Sequence, residues 1–247
     1  MPKTILMLAT FGIELVEVGG TLALHAQAGD HVHAAVLLSR PEYRAEVQQA
    51  ANVLGIESVR FLDFNYGEVM PDPPSKVRLV RLLREVRPEI VITQDPEHVT
   101  HDLDPDRRLA MLLYLESLAV AGRDWRIEEC GGLAPTPIPA IYYMWAERPN
   151  CVVDIGATFQ LKARALAGMP RQLVFIARAM KARMGDPVLR AVVTNYAADT
   201  DDAALGLALH QEIDKANAMY HGILSHSGAG LAEAFRHEGP LLLSRLP

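Results

Sequence analysis

Short apolar runs alternate with longer helical patterns along the first 155 residues, and this alternation constrains the fold more than any other feature. Strands are predicted at residues 5–9, 33–38, 59–62 and 89–93, with later strands at 140–144 and 151–155. The intervening segments carry apolar residues at helical spacing. Strands that are apolar on both faces are typical of parallel sheets covered by helices. The expected fold class is α/β, with a Rossmann-like parallel sheet flanked by helices.

The composition changes after Ile155. Residues 157–220 are rich in Ala, Leu, Met and Arg and predict mainly helices. No internal repeat, low-complexity segment or long linker divides the chain. We therefore predict a single domain over residues 1–247, with a Rossmann-like core at 1–155 and a mainly helical C-terminal part at 156–247.

Bulk properties exclude several function classes. The net charge is −6, and the basic residues of segment 76–87 are spaced like the solvated face of a helix, so no nucleic-acid partner is expected. The apolar run near the N-terminus is too short for a signal peptide, and no stretch approaches the roughly 20 apolar residues of a membrane span. The two cysteines form no short-spaced pair. A cytoplasmic protein without a membrane partner is predicted.

The turn after the first strand, Thr10-Phe11-Gly12-Ile13-Glu14, lies where α/β proteins bind ligands, yet it is mostly apolar or neutral. It lacks the GxGxxG pattern of dinucleotide-binding proteins. The chain also contains no GxxxxGK[ST] loop and no GxSxG elbow. Dinucleotide, P-loop and serine-hydrolase chemistry are therefore disfavoured.

Segment 94–108 is the most polar stretch of the chain and follows the strand at 89–93. It contains Asp95, His98, His101 and Asp104, which are side chains of the types that bind divalent metals. In the alternative interpretation this segment is an exposed loop followed by a helix, whose first turn Asp104 caps ahead of Pro105. The spacing of the two histidines on a loop does not decide between these interpretations.

Two further segments allow two interpretations each. The aromatic residues of segment 142–154 either line a sugar-binding surface or pack in the core near a strand end. Glu233 and Arg236 in segment 232–237 are either site residues or an ion pair at the end of a helix. Both pairs of alternatives stay open at this point.

The order of several short motifs is similar along nearly the whole chain to that of one known family. These motifs are GGTLA (19–23), AANVLGI (50–56), FLDFNYGEV (61–69), RPEIVIT (87–93), DPDRR (104–108), VDIGATFQLKARAL (153–166), Gln172 and AEAF (232–235). Together they resemble the PIG-L/LmbE-like family, which includes N-acetylglucosaminyl-phosphatidylinositol de-N-acetylases. The resemblance implies amide hydrolysis by water activated on a divalent metal, usually zinc, and a trimeric or hexameric assembly.

The family's first catalytic motif, AHPDDE, aligns with the first turn without a gap. The metal-binding His falls on Thr10, the general base on Gly12 and the second metal-binding Asp on Ile13, so only Glu14 is retained. These three replacements remove two metal ligands and the base.

The second motif, HPDH, is altered in the same way. Its first His falls on Asp104 and its metal-binding His on Arg107, while an Asp of a neighbouring turn falls on Tyr66. A guanidinium about 5 Å from a dication repels it by several kcal/mol even at an effective dielectric constant of about 20. The zinc site of the family is therefore expected to be absent, with no other cofactor implied.

Two functional hypotheses follow. The first is a metal-free, non-hydrolytic pseudoenzyme or ligand-binding protein whose partner is a sugar-like or anionic small molecule. The alternative is an active hydrolase, deacetylase or hydratase with a rebuilt site, in which Glu14, Asp104 and Arg107 are the catalytic candidates. The ligand-binding candidates are Thr10, Gly12, Tyr66, Asp95, His98 and His101. A homo-oligomer is expected from the resemblance.

Overall fold

A computed structural model of the chain describes residues 1–102 and 104–238. The strands are β1 (Thr4–Ala9), β2 (His31–Val36), β3 (Ser58–Phe61), β4 (Ile90–Gln94), β5 (Ala140–Met144), β6 (Cys151–Asp154) and β7 (Ala232–His237). The helices are α1 (Glu14–Glu17), α2 (Gly19–Gln27), α3 (Pro41–Leu54), α4 (Pro73–Val86), α5 (Pro96–His101), α6 (Pro105–Ala121), α7 (Phe159–Ala167), α8 (Pro170–Arg183), α9 (Asp186–Val192) and α10 (Asp202–His221).

The seven strands form one sheet in the order β3-β2-β1-β4-β5-β7-β6. Strands β3, β2, β1, β4 and β5 pair in parallel. The α/β class and the parallel arrangement of these five strands are confirmed. Strand β7 runs antiparallel to both β5 and β6, so the complete sheet is mixed.

Segment 232–237 is a correction to the sequence prediction, because it is a strand and does not end a helix. Its hydrogen bonds to two neighbouring strands outweigh the local preference of Ala and Glu for helix. The C-terminal part is accordingly not purely helical.

The sheet separates two apolar cores. The larger one contains Ile5, Met7 and Phe235 on one face, and the other contains Leu6, Leu8 and Tyr114 on the opposite face. A third, smaller cluster packs Ala177 of α8 against the helices that follow it. No helix in the ranges 1–102 and 104–238 is long and apolar enough to span a membrane.

The order in which successive strands are added to the sheet reverses at β1. The connection after β1 leads to β2 on one side, whereas β4 pairs on the other side of β1. In α/β proteins, ligands bind at the carboxyl ends of the strands beside such a switch point. The turns after β1 and β4 are therefore the expected walls of a site.

Candidate functional site

A cavity of about 350 Å³ opens at this switch point. Its walls come from the turns that follow β1, β2 and β3, from the first turn of α6, and from α8. The lining residues are Phe11, Ile13, Ser39, Arg40, Tyr43, Tyr66, Asp104, Arg107, Gln172 and Phe175. We call this space the first cavity. Its volume lies in the lower part of the range of small-molecule sites.

Glu14 and Arg107 form an ion pair beneath the first cavity. The Glu14 side chain is fully buried, and both of its carboxylate oxygens accept hydrogen bonds from the backbone N–H of Phe11, at 3.2 and 3.1 Å. Nη1 of Arg107 lies 3.8 Å from Oε1 of Glu14. Burial lowers the pKa of Arg107, but the carboxylates of Glu14 and Glu17 raise it by more, so this pKa lies above its ordinary value. Arg107 is a fixed cation in this structure.

Two arginines and two aromatic rings form a stack along the wall of the first cavity. The Arg107 guanidinium lies 5.1 Å from the centre of the Phe11 ring, and this ring stacks on Tyr66 with centroids 5.9 Å apart. The Arg40 guanidinium lies 5.3 Å from the centre of the Tyr66 ring. Cation–π contacts of this kind hold a guanidinium in place without using its hydrogen-bond donors. The donors of Arg40 stay available to a ligand, whereas Arg107 also pairs with Glu14 and Asp102.

The residues at the family's metal positions do not fit a zinc ion. Ile13 offers only methyl groups, and Arg107 offers a positive charge in place of an imidazole. Thr10 is buried, and its hydroxyl finds no partner among the described residues. In residues 1–102 and 104–238, no group of three His, Cys, Asp or Glu side chains is arranged to hold a metal. Zinc prefers thiolate, imidazole and carboxylate ligands, and this turn provides none of them in a ligating arrangement.

The backbone conformation and close packing at position 12 require a glycine there. Its φ of 94° is in the left-handed region, and a Cβ atom here would lie 2.9 Å from a methyl group of Val47. A side chain at this position would be strained and would clash. Gly12 shapes the turn and does not itself line the first cavity.

Asp104 acts as the N-cap of α6, as the cap interpretation of the sequence proposed. Its Oδ1 accepts hydrogen bonds from the backbone N–H groups of Asp106 and Arg107, at 2.9 and 3.4 Å. The Asp106 carboxylate instead accepts the backbone N–H of Gly67, in the turn that carries Tyr66. The side-chain partners of Arg107 are Glu14 and Asp102, whose Oδ2 lies 3.4 Å from Nε.

Of the six residues predicted to bind ligand, only Tyr66 lines the first cavity; Thr10 and Gly12 lie in the turn beside it, and three others lie further away. Asp95 is fully buried and forms a bidentate ion pair with Arg236 of β7, through hydrogen bonds of 2.9 and 2.6 Å. His98 pairs with Glu147, and His101 is exposed at the end of α5. The predicted loop at 96–101 is this short helix, because Asp95 caps it and Pro96 occupies its first position. The structure therefore brings together Tyr66, Asp104 and Arg107, with Glu14 below them, and separates the other candidates.

A buried charged cluster behind α1 was missed by sequence reasoning. Lys162 of α7 is almost completely buried, and its Nζ lies 3.1 Å from Glu233 and 3.5 Å from Asp214. The Glu233 carboxylate also accepts the backbone N–H groups of Gly20 and Thr21 at the start of α2. The available signal was the presence of Glu17 and Lys162 inside otherwise apolar helical segments, where an isolated charge usually has a buried partner.

Comparison with known proteins finds similarity to one family over part of the chain. Residues 14–106 match the family model of GlcNAc-PI de-N-acetylase (PIG-L). Thr10, Gly12 and Ile13 precede the matched segment, and Arg107 directly follows it. A diacetylchitobiose deacetylase of Thermococcus kodakarensis is 31% identical over 123 residues, covering 49% of this chain. The match spans about half of that relative, 46% of its length.

Solved structures extend the similarity of fold to nearly the whole chain. An N,N'-diacetylchitobiose deacetylase from Pyrococcus horikoshii, complexed with an inhibitor, has a TM-score of 0.69 at 20% identity over 96% of this chain and 84% of that one. The 4-carboxy-2-hydroxymuconate hydratase from Pseudomonas putida KT2440 has a TM-score of 0.70 at 21% identity over 99% of this chain and all of that one. The predicted resemblance is thus confirmed: residues 14–106 match the PIG-L family model, and the α/β fold is shared with deacetylase and hydratase structures.

Proposed function

We propose that this protein is a metal-free, non-hydrolytic member of the deacetylase-like group, which binds an anionic small molecule of about sugar size in the first cavity. One observation carries the proposal. The positions that hold metal in the family's motifs are occupied here by Thr10, Ile13 and Arg107, and Arg107 is paired with the buried carboxylate of Glu14. The family's scaffold is retained without the donors that its hydrolytic chemistry requires.

The charge of the first cavity favours an anionic group on the ligand. Arg40 and Arg107 line this cavity together with a single carboxylate, Asp104, one oxygen of which already accepts two backbone hydrogen bonds. In the part of the chain that the structure describes, no carboxylate lies within ion-pair distance of Arg40. Guanidinium groups bind carboxylates and phosphates through two parallel hydrogen bonds. The ring of Tyr43, which also lines this cavity, offers a face for a sugar-like body.

The alternative of a rebuilt hydrolase or hydratase requires a base within reach of the ligand. Glu14 is fully buried and accepts hydrogen bonds from the Phe11 N–H, and Asp104 caps α6. Both carboxylates therefore already make structural hydrogen bonds. Arg107 lies close to Glu14, and an adjacent cation lowers the basicity of a carboxylate. A deacetylase assay distinguishes this alternative from the non-hydrolytic proposal.

Isothermal titration calorimetry with N-acetylglucosamine 6-phosphate and with N-acetylglucosamine tests the binding proposal. The phosphorylated sugar is expected to bind at least about tenfold more tightly, which corresponds to roughly 1.4 kcal/mol from one charge-assisted pair. Arg40→Gln should remove this difference. Arg123→Gln is the matched control, because Arg123 is exposed and follows the opposite end of α6 from the first cavity. Equal binding of the two sugars would contradict the anionic-ligand proposal.

Metal analysis and a deacetylase assay test the non-hydrolytic part. Protein purified without chelators should contain no stoichiometric zinc. It should also release no acetate from N,N'-diacetylchitobiose, with or without added zinc. Acetate release that disappears in Asp104→Asn would instead establish the rebuilt enzyme.

A further inference from the structure

A second cavity, of about 280 Å³, opens on the other side of α1. Its walls come from the end of β5 and the residues after it, from α1 and α7, from the last turns of α10, and from β7. The residues used below are Glu17, Trp145, Glu147, Lys162, Asn217 and His221. None of these six lines the first cavity.

Glu17 lines this second cavity, and one oxygen of its carboxylate has no hydrogen-bond partner among the described residues. Its Oε2 atom is buried and accepts no hydrogen bond from any described residue. The nearby ammonium of Lys162 donates instead to the backbone oxygen of Glu17, at 2.6 Å, and is shared between Glu233 and Asp214. A mostly buried carboxylate without donors is costly, so the group either keeps its proton or is stabilised by a cation or a donor that enters from the cavity.

The remaining charges also make the second cavity attractive to cations. The last turns of the 20-residue helix α10, where the helix carries its partial negative charge, border the second cavity at Asn217 and His221. Burial lowers the pKa of His221, which keeps that imidazole neutral at pH 7. Glu147 adds a carboxylate at the rim, and the only ammonium in the described lining, Lys162, is already paired with two carboxylates.

Trp145 supplies an aromatic wall. Its backbone adopts a left-handed conformation with φ of 56°, which is unfavourable for a bulky side chain. The side chain nevertheless remains 42% exposed, beside the His98 ring at a centroid distance of 5.5 Å. Residues held in sparsely populated backbone conformations cluster at active sites and ligand clamps. An indole is the aromatic ring best suited to contact an ammonium group.

We propose that the second cavity binds a small primary amine, with the Glu17 carboxylate as counter-ion of its ammonium group and the Trp145 indole as its aromatic contact. A primary ammonium fits better than a quaternary one, because Glu17 and the Asn217 side-chain oxygen are hydrogen-bond acceptors. This inference does not depend on the proposed function of the first cavity.

Titration with glucosamine and glucose tests the proposal. The two sugars differ in the group at carbon 2, which is an ammonium in glucosamine and a hydroxyl in glucose. Binding is followed by calorimetry and by the fluorescence of Trp145 in a Trp125→Phe background, which leaves Trp145 as the only indole. Glucosamine should bind at least about tenfold more tightly than glucose and should change the Trp145 emission at the same concentrations.

Glu17→Gln should reduce glucosamine binding to the level of glucose, whereas Glu212→Gln, at an exposed position of α10, should leave it unchanged. Trp145→Ala should weaken glucosamine binding as a second, independent variant.

Equal affinity for both sugars, no binding of either, or glucosamine binding that Glu17→Gln leaves intact would overturn the proposal. Loss of glucosamine binding in Arg40→Gln with full binding in Glu17→Gln would place the amine in the first cavity, which also overturns it. Phosphorylated-sugar binding should not weaken in Glu17→Gln, so the two proposals can fail separately.

Discussion

Replacing Glu17 with Gln should make the protein relatively more stable at alkaline pH. Burial, together with the charge of Glu14, raises the pKa of Glu17 from 4.5 to about 7, against the opposing effects of Arg107 and His210. Asp214 adds a further increase in this pKa. The native carboxyl thus holds its proton over a range of pH in which the unfolded chain has already lost it.

The sign and size of the effect follow from proton linkage. The stability that a protonated Glu17 contributes is fully present below about pH 4.5 and is lost as the pH rises to about 7. The complete loss corresponds to roughly 3 kcal/mol, and about 2 to 3 kcal/mol of it falls between about pH 5 and 8. Gln cannot ionise, so Glu17→Gln avoids this loss.

Urea unfolding of the two proteins at pH 5, 6, 7 and 8 measures the effect. The free energy of unfolding of Glu17→Gln, relative to the native sequence, should increase by about 2 to 3 kcal/mol across this range. Glu212→Gln removes an exposed carboxylate from α10 and should give a small difference that hardly changes with pH. A constant difference between Glu17→Gln and the native sequence would refute the reasoning about this site.

Three further outcomes are expected. The combined variant Thr10→His, Ile13→Asp and Arg107→His restores the donors of the family's motifs and should bind one zinc ion per chain, measured by elemental analysis after dialysis; no bound zinc would show that the alignment of the turn is wrong. Asp95→Ala leaves the Arg236 guanidinium without its buried partner and should cost about 3 kcal/mol of unfolding free energy in urea titration, whereas a loss below about 1 kcal/mol would contradict a structural role. Gly20→Ala places a methyl group 2.7 Å from the Ile155 Cβ and should cost about 1 to 3 kcal/mol, seen as a lower melting temperature; an unchanged melting temperature would contradict the close packing.

The sheet was predictable because its central strands are nearly continuous apolar runs. The strand at residues 140–144 was predicted with its observed limits, whereas the strand that begins at His31 was predicted two residues late, because polar residues precede its apolar part. The strand at Ala232–His237 could not be recognised, because its partners in the sheet are about 80 residues or more away along the chain. Pairing of that kind leaves no local signal.

The candidate site was predictable only in part. Tyr66, Asp104 and Arg107 converge as the aligned motifs implied, and Glu14 lies beneath them. The pairing of Asp95 with Arg236 could not be predicted, because a buried carboxylate after a strand has the same local sequence whether it binds a ligand or an arginine from a distant strand. The proposed absence of zinc and the expected homo-oligomer stay predictions.

Strand β7 has a consequence for how the chain is synthesised. Glu233 bonds to Gly20 across 213 positions, and Arg236 bonds to Asp95 across 141. While the ribosome is still adding the helices after β6, the first turn of α2 lacks its acceptor and Asp95 lacks its cation. The nascent polypeptide therefore cannot complete these native contacts until residue 236 has left the exit tunnel, so the sheet closes late in synthesis, after the helices that precede β7 have been made.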